Sequence, residues 1–351
     1  MSAVATSRDT IVVTGGAGFI GSELVRQLAA RRRRVVIIDN LVNGLRRNLE
    51  DVLSDSVTLR ACDIRELDAW ADVLPATACV YHLACLGVRH SLHSPFENHE
   101  VNATATLHAL AACRDAGVPR FVYVSSSEIY GTATRVPMTE EHPPFPCTVY
   151  GASKLAGECY ARAYHVSYGY PTVVVRPFNT YGPRSHHEGD SGEVIPKFML
   201  RCLAGRPLIV FGNGEQTRDF TYVSDTAAGI ILAGESDAAI GQTINLGFGA
   251  EVSINALAGV VQKVLGRPAT VEHHADRPGD VRRLYADMGK ARALLGYEPG
   301  ISLEDGLRQL LEWYRRQPES PEELLEHDRV QNWMPSESAS RASARLPASP
   351  T

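Results

Sequence analysis

Short apolar runs alternate with amphipathic stretches over the first two-thirds of the chain. Ile11–Thr14, Val35–Ile38, Val57–Arg60, Cys79–Leu83, Phe121–Ser125, Thr172–Arg176 and Thr243–Leu246 have the length and composition of strands. Several are continuously apolar, as strands covered on both faces are. Between them apolar positions recur at helical spacing. They begin with Leu24, Val25, Leu28 and Ala29 after a glycine turn, and continue within Pro95–Ala116, Tyr150–Tyr168, Val194–Ala204 and Asp225–Ala233. Strands alternating with helices predict an α/β fold with a doubly wound parallel sheet of the Rossmann type.

The regularity weakens after Arg176. Residues 177–215 are rich in Pro, Gly, His and Asn. Residues 248–315 carry a helix pattern (Ile254–Leu265), a loop of Arg, Pro and Gly, and a final amphipathic helix near Leu303–Arg315. The expected organisation is a Rossmann domain over 10–176, to which 216–247 returns, and a smaller, discontinuous α/β lobe from 177–215 and 248–315. The Ser-, Ala-, Pro- and Arg-rich stretch 335–351 reads as a disordered tail.

Composition narrows the class. Of 351 residues, 44% are hydrophobic and 21% charged, which suits a packed globular core. A net charge of -5 argues against a nucleic-acid partner, which calls for a concentrated basic surface. The basic cluster Arg31–Arg34 reads as a solvated helix end. Seven scattered cysteines without CxxC spacing indicate reduced thiols, with no disulfide frame and no zinc site. Cys62, Cys79, Cys85 and Cys113 sit in or beside apolar stretches and read as small core residues. His186, His187, His273 and His274 read as exposed loop histidines, so no metal is expected. Neither a signal peptide nor a membrane-spanning run is visible, which makes the cytoplasm the expected location and excludes a membrane partner.

The first chemical signal is Thr14-Gly15-Gly16-Ala17-Gly18-Phe19-Ile20-Gly21, a glycine turn between a strand and a helix. Glycines at 15, 18 and 21 allow a tight turn and a close backbone approach to a pyrophosphate, while the helix N-terminus offers free N–H groups. Asp39 closes the next strand, where a carboxylate accepts both adenosine ribose hydroxyls and repels a 2′-phosphate. That favours NAD over NADP. Asp63 and Ile64 end the following strand pattern, near where an acid meets the adenine amino group. Phe19, Ile20, Asn40 and Ala84 complete the candidate cofactor residues.

Tyr150 and Lys154 form Y-x-x-x-K at a helix start and share one helical face. A phenol with an ordinary pKa near 10 is a poor base at neutral pH. A nearby ammonium, with the nicotinamide's positive charge, favours the phenolate, which then accepts a proton from a sugar hydroxyl. Val122–Gly131 runs from a strand into a turn containing Ser126, Ser127 and Glu128, where parallel sheets bind their ligands.

Together these residues resemble the extended short-chain dehydrogenase/reductase family, in its nucleotide-sugar epimerase, dehydratase and decarboxylase branch. The likeness covers roughly residues 10 to 315. The resemblance implies that Gly15, Gly18 and Gly21 hold the NAD pyrophosphate and Asp39 the ribose. It implies that Tyr150 and Lys154 are the catalytic pair and Ser126 their hydroxyl partner. Asn179 would touch the nucleotide sugar, Arg218 and Arg277 neutralise its diphosphate, and Asp280 accept from its ribose. Arg89 or Arg184 would pair with a substrate carboxylate. A homodimer formed by the helices around Pro95–Ala116 and Tyr150–Tyr168 is also implied.

All three family outcomes begin with a 4-keto sugar. Ser126-Ser127-Glu128 resembles the uronate decarboxylases and some 4,6-dehydratases. Ser127 departs from the acid of the thymidine-linked glucose dehydratases. Gly87–Leu92 resembles the loop of uronate and hexose 4-epimerases, and Arg277-Pro278-Gly279-Asp280 resembles epimerases and dehydratases more than decarboxylases. A UDP-glucuronate-type decarboxylase giving a UDP-4-keto-pentose or UDP-xylose ranks first on these motifs. A 4,6-dehydratase and a hexose or uronate 4-epimerase follow. An NAD-sensing scaffold of the same fold is the non-enzymatic alternative, but such proteins typically lose the Tyr or the Lys, and both are present here.

Overall fold

A computed structural model describes residues 8–277, 280–326 and 328–331; the stretch 335–351 lies outside them. The apolar runs form β1 (Thr10–Thr14), β2 (Arg34–Asp39), β3 (Val57–Ala61), β4 (Thr77–His82), β5 (Phe121–Val124), β6 (Thr172–Pro177) and β7 (Thr243–Leu246). They pair as one seven-stranded sheet in the order β7-β6-β5-β4-β1-β2-β3. Every pairing is parallel.

Burial on both faces follows from strand alternation. Ile11 and Val13 of β1 join an apolar cluster with Leu24, Val25 and Leu28 of the Phe19–Ala30 helix and Ile230 and Ile231 of the Val223–Glu235 helix. Val12 points to the other face, where Ala105, Ala109 and Leu110 pack with Val80 and Val174. A third cluster gathers Ile195, Phe198, Leu208, Leu257, Val261, Leu307 and Leu310 away from the sheet. From the expected second lobe, Val281, Leu284, Ala286, Leu295 and Tyr297 instead pack with the first sheet cluster.

The stretch predicted as one helix over Pro95–Ala116 contains a π-helical turn, Glu100–Thr104, between Pro95–His99 and Ala105–Asp115. Asn98 and Asn102 there reach out of the helix. Asn102 accepts from the Leu86 N–H at 2.8 Å and donates to the Leu86 carbonyl at 2.9 Å; Asn98 donates to the same carbonyl at 3.0 Å. The loop after β4 is thereby pinned against the helices. Three ladders escaped the sequence reading: Asn179–Tyr181 with Phe220–Tyr222, Leu208–Phe211 with Val271–His274, and Thr217–Arg218 with Val252–Ser253.

The Val149–Tyr168 helix starts at Thr148, whose side chain accepts from the Gly151 N–H at 3.1 Å, and ends at Gly169 with φ 64°. A left-handed terminus of this kind suits glycine. Inside the helix, Glu158 is fully buried against Arg176 of β6, with N–O distances of 2.9 and 2.7 Å. Arg176 also donates to the Tyr130 hydroxyl at 2.6 Å, which donates to Asn245 at 2.7 Å. This network fastens the helix to β6 and β7. No helix among the described residues is long and apolar enough to cross a membrane.

Candidate active site

Because all seven strands run parallel, their C-terminal ends share one edge, the usual ligand edge of such sheets. A cavity of about 790 Å³ opens there. It is lined by Gly15, Gly18, Phe19, Ile20, Gly21, Asp39, Asn40, Ile64 and Ala84 on one side. Ser126, Ser127, Glu128, Tyr150 and Lys154 lie deeper, and Arg89, Asn179, Arg218, Arg277 and Asp280 on the far wall.

The first side has the form of a dinucleotide cradle. Gly15 has φ 70°, and a Cβ on it would lie 2.7 Å from the Ala84 nitrogen. A Cβ on Gly21 would overlap the Gly15 carbonyl. Ala84 is itself held by a relay. Its N–H donates to Thr14 Oγ1 at 3.2 Å, and Thr14 Oγ1 lies 2.8 Å from His82 Nδ1. His82 Nε2 lies 2.9 Å from Thr106 Oγ1, which donates to the Asn102 carbonyl at 2.8 Å. Burial pushes His82 down to about 3, so the ring is neutral and the chain of donors runs consistently through it. Asp39 accepts from the Ala17 and Leu41 N–H groups at 2.9 and 2.8 Å; burial raises its carboxyl and those bonds counter the rise. Its remaining lone pairs suit ribose hydroxyls. The glycine cradle and this carboxylate fit NAD.

At the deep end, Ser126 Oγ accepts from the Glu128 N–H at 3.2 Å and lies beside the Tyr150 phenol. Burial pushes that phenol well up, and the neighbouring Ser126 hydroxyl pulls it back toward ionisation. Lys154 donates to the Val124 carbonyl at 2.6 Å and lies 4.8 Å from the Tyr123 ring centroid; burial lowers its ammonium.

The far wall crowds cations. Arg277 stacks over Phe211 at 5.0 Å and is pushed down to about 10, first by burial and then by Arg89, with Arg218 adding to it. Arg218 pairs with Asp280 at 2.6 Å. Mutually repelling guanidinium groups in a cavity create a site for a polyanion such as a diphosphate. Asn179 Oδ1 is buried without a hydrogen-bond partner among the described residues, as an acceptor awaiting a ligand donor would be.

Two expected residues are not brought in. Arg184, at φ 70°, turns out of the motif and pairs with Glu23 at 2.7 Å, outside the cavity lining. Asp63 is held by Arg65 at 2.8 Å and Asn40 at 2.9 Å; these bonds, Arg65 first, hold its carboxyl well below the usual range. Its neighbours Cys62 and Ile64 line the cavity instead. The four histidines are not simple exposed loop residues. His187 is buried, His186 pairs with Glu188 at 3.2 Å, and His273 and His274 lie in a strand. Among the described residues no His, Cys, Asp and Glu group is arranged to hold a metal. Cys85 lines the cavity rather than filling a core.

Sequence reasoning missed Glu193, which also lines the cavity. Burial pushes its carboxyl up to about 7 against the pull of His186 and Arg89. Only its place before the Val194 helix pattern could have drawn attention to it.

The sequence profile of the NAD-dependent epimerase/dehydratase family matches residues 11–247. The chain is 36% identical over 310 residues to UDP-glucose 4-epimerase of Mycolicibacterium smegmatis, covering 87% of this chain and 98% of that one. It is 34% identical over 318 residues to UDP-glucuronic acid decarboxylase 1 of Arabidopsis thaliana, covering 89% and 71%. The structure of the dTDP-glucose 4,6-dehydratase DesIV from Streptomyces venezuelae, solved with NAD bound, superposes with a TM-score of 0.82 at 34% identity, covering 87% and 97%.

Proposed function

The chain belongs to the NAD-dependent epimerase/dehydratase family, and within it we propose that the protein is a 4,6-dehydratase of a nucleoside-diphosphate hexose, with a UDP-sugar favoured. The observation that carries this reading is the pair of carboxyl groups, Glu128 and Glu193, on the cavity wall around Tyr150. NAD is the cofactor; when bound it accepts hydride and brings a positive ring charge.

Tyr150 takes the proton of the sugar C4 hydroxyl, and the neighbouring Ser126 hydroxyl hydrogen-bonds to that oxygen. Lys154 holds the helix against β5. A ketone at C4 acidifies the adjacent C5 proton, and Glu128 is the base in position to take it. Arg218 and Arg277 bind the diphosphate, Asp280 a ribose hydroxyl, and Asn179 Oδ1 accepts from the ligand.

A 4-epimerase needs neither carboxyl group, and burying two of them without use is costly. A uronate would add its own carboxylate beside Glu128 and Glu193, with Arg89 as the cation shared between them. This balance favours a neutral hexose over the uronate that the Ser126-Ser127-Glu128 motif ranks first. Decarboxylation is the second reading, favoured by Arg89 in the cavity wall and by the decarboxylase relative.

Mass spectrometry of products from a panel of nucleotide sugars tests the proposal. Loss of one water from a nucleotide hexose is the expected result. Loss of carbon dioxide from a uronate, or a product of unchanged mass, would overturn it.

A further inference from the structure

Eliminating water from C5 and C6 of a 4-keto sugar needs an acid for the departing hydroxyl as well as a base for the C5 proton. Ser127 occupies the position beside Glu128 where an acid is wanted, and a serine hydroxyl is too weak an acid for that task. We propose that Glu193 is the general acid that protonates the departing C6 hydroxyl, with Glu128 as the base. The inference rests on the dehydratase reading above and extends it to a residue on a different element.

Three observations converge on Glu193. It lines the cavity with Tyr150, Glu128 and Arg89, and its charge bears on the Tyr150 phenol. It stands at the N-cap of the Val194–Leu203 helix, yet its side chain makes no capping bond. Ser, Thr, Asp or Asn would serve that position better, so capping does not account for a glutamate there. Gly192 before it is pressed into the structure. A Cβ at 192 would lie 2.8 Å from the His187 carbonyl and would overlap the Lys197 chain, which restricts how the 192–193 backbone can shift.

The charged groups around it divide the labour. His186 is engaged by Glu188, and Arg89 acts on both Glu128 and Glu193. The buried Tyr314 phenol lies within reach of the Glu193 charge. Burial raises both carboxyl groups: Arg218 and Arg89 oppose the rise on Glu128, and His186 and Arg89 oppose that on Glu193, which is still pushed up to about 7.

The elimination balances with these two groups. The Glu128 carboxylate takes the C5 proton, and the electrons of that C–H bond form the C5–C6 double bond. The C6–O bond breaks as Glu193 gives its proton to the oxygen, and water leaves. Return of the C4 hydride to C6 and of the Glu128 proton to C5 then gives the 4-keto-6-deoxy sugar, so that only water is lost overall, and a solvent proton restores Glu193.

The test compares wild-type protein with Glu193→Gln on a nucleotide hexose and on its 6-deoxy-6-fluoro counterpart, whose fluoride needs no strong acid to leave. Wild-type protein should release water. In Glu193→Gln that release should slow by about 10²–10⁴-fold. C5 proton exchange with deuterated solvent should continue, and fluoride release should stay near the wild-type rate. Undiminished water release in the variant, or fluoride release slowed as much as water release, overturns the role of Glu193 and leaves the dehydratase reading standing. A variant that no longer exchanges the C5 proton also counts against a specific acid role, and Glu193→Asp should then recover no elimination. If wild-type protein eliminates no water from any hexose, the dehydratase reading falls and the acid with it.

Discussion

The Lys154 ammonium donates a 2.6 Å hydrogen bond to the Val124 carbonyl, at the point where β5 leads into Ser126, Ser127 and Glu128. Its charge ties the helix bearing Tyr150 to the strand bearing the other reactive groups. Ser126 completes the arrangement by accepting from the Glu128 N–H beside the Tyr150 phenol.

Tyr150→Phe removes the proton acceptor and little else. Turnover should fall by about 10²–10⁴-fold or more. The glycine turn and Asp39 remain, so NAD affinity measured by quenching of protein fluorescence should change by less than about threefold. Retained turnover would rule out the phenol as the base.

The buried Glu158–Arg176 pair is the main polar clamp between the Val149–Tyr168 helix and β6. Glu158→Ala leaves a buried guanidinium unpaired and should cost about 3–5 kcal/mol of stability, read from chemical denaturation. Exchanges at the exposed Arg308–Asp305 pair should change stability by less than about 1 kcal/mol.

Much of this was readable in the chain. Short apolar-rich runs located all seven strands of the sheet, most readily the inner ones, because a parallel strand covered on both faces has no polar face to confuse the pattern. The glycine turn, Asp39, Tyr150 and Lys154 were readable because each sits at a fixed offset from a strand or helix. Asn179–Tyr181 was not, since a three-residue strand pairs with Phe220–Tyr222 far along the chain and leaves no local period. Arg184 misled because its motif is shared while its φ of 70° turns the side chain to Glu23. Glu193 stayed hidden in a polar, glycine-containing loop, where an acid ordinarily faces water. Only its burial against Arg89 and His186 gives it a distinct chemistry.

Glu193 also predicts a pH effect on stability. Its carboxyl is raised from an ordinary 4.5 to about 7 in the folded protein. Between those values the folded state holds a proton that the unfolded chain has released, so this contribution is full at low pH and is lost as pH rises through about 7. Glu193→Gln holds no such proton. The melting temperature of the variant relative to wild type should therefore rise between about pH 5 and about pH 8. A constant difference would place Glu193 in ordinary solvent.

Phe96 and Val166 are 87% and 81% exposed on neighbouring helices, with Tyr168 also exposed. Exposed apolar side chains on these helices favour association, so the expected homodimer is open to test. Light scattering should give twice the chain mass, and Val166→Glu should shift the protein toward monomer. A monomer at all concentrations would refute this.

The most direct test is to follow a nucleotide hexose carrying deuterium on C4 through a single turnover, with the label located by NMR. Oxidation at C4 with NAD as hydride acceptor and Tyr150 as base, followed by elimination and hydride return to C6, predicts that the label leaves C4 and that the carbon becomes a ketone. Product in which the deuterium still sits on C4 would contradict it.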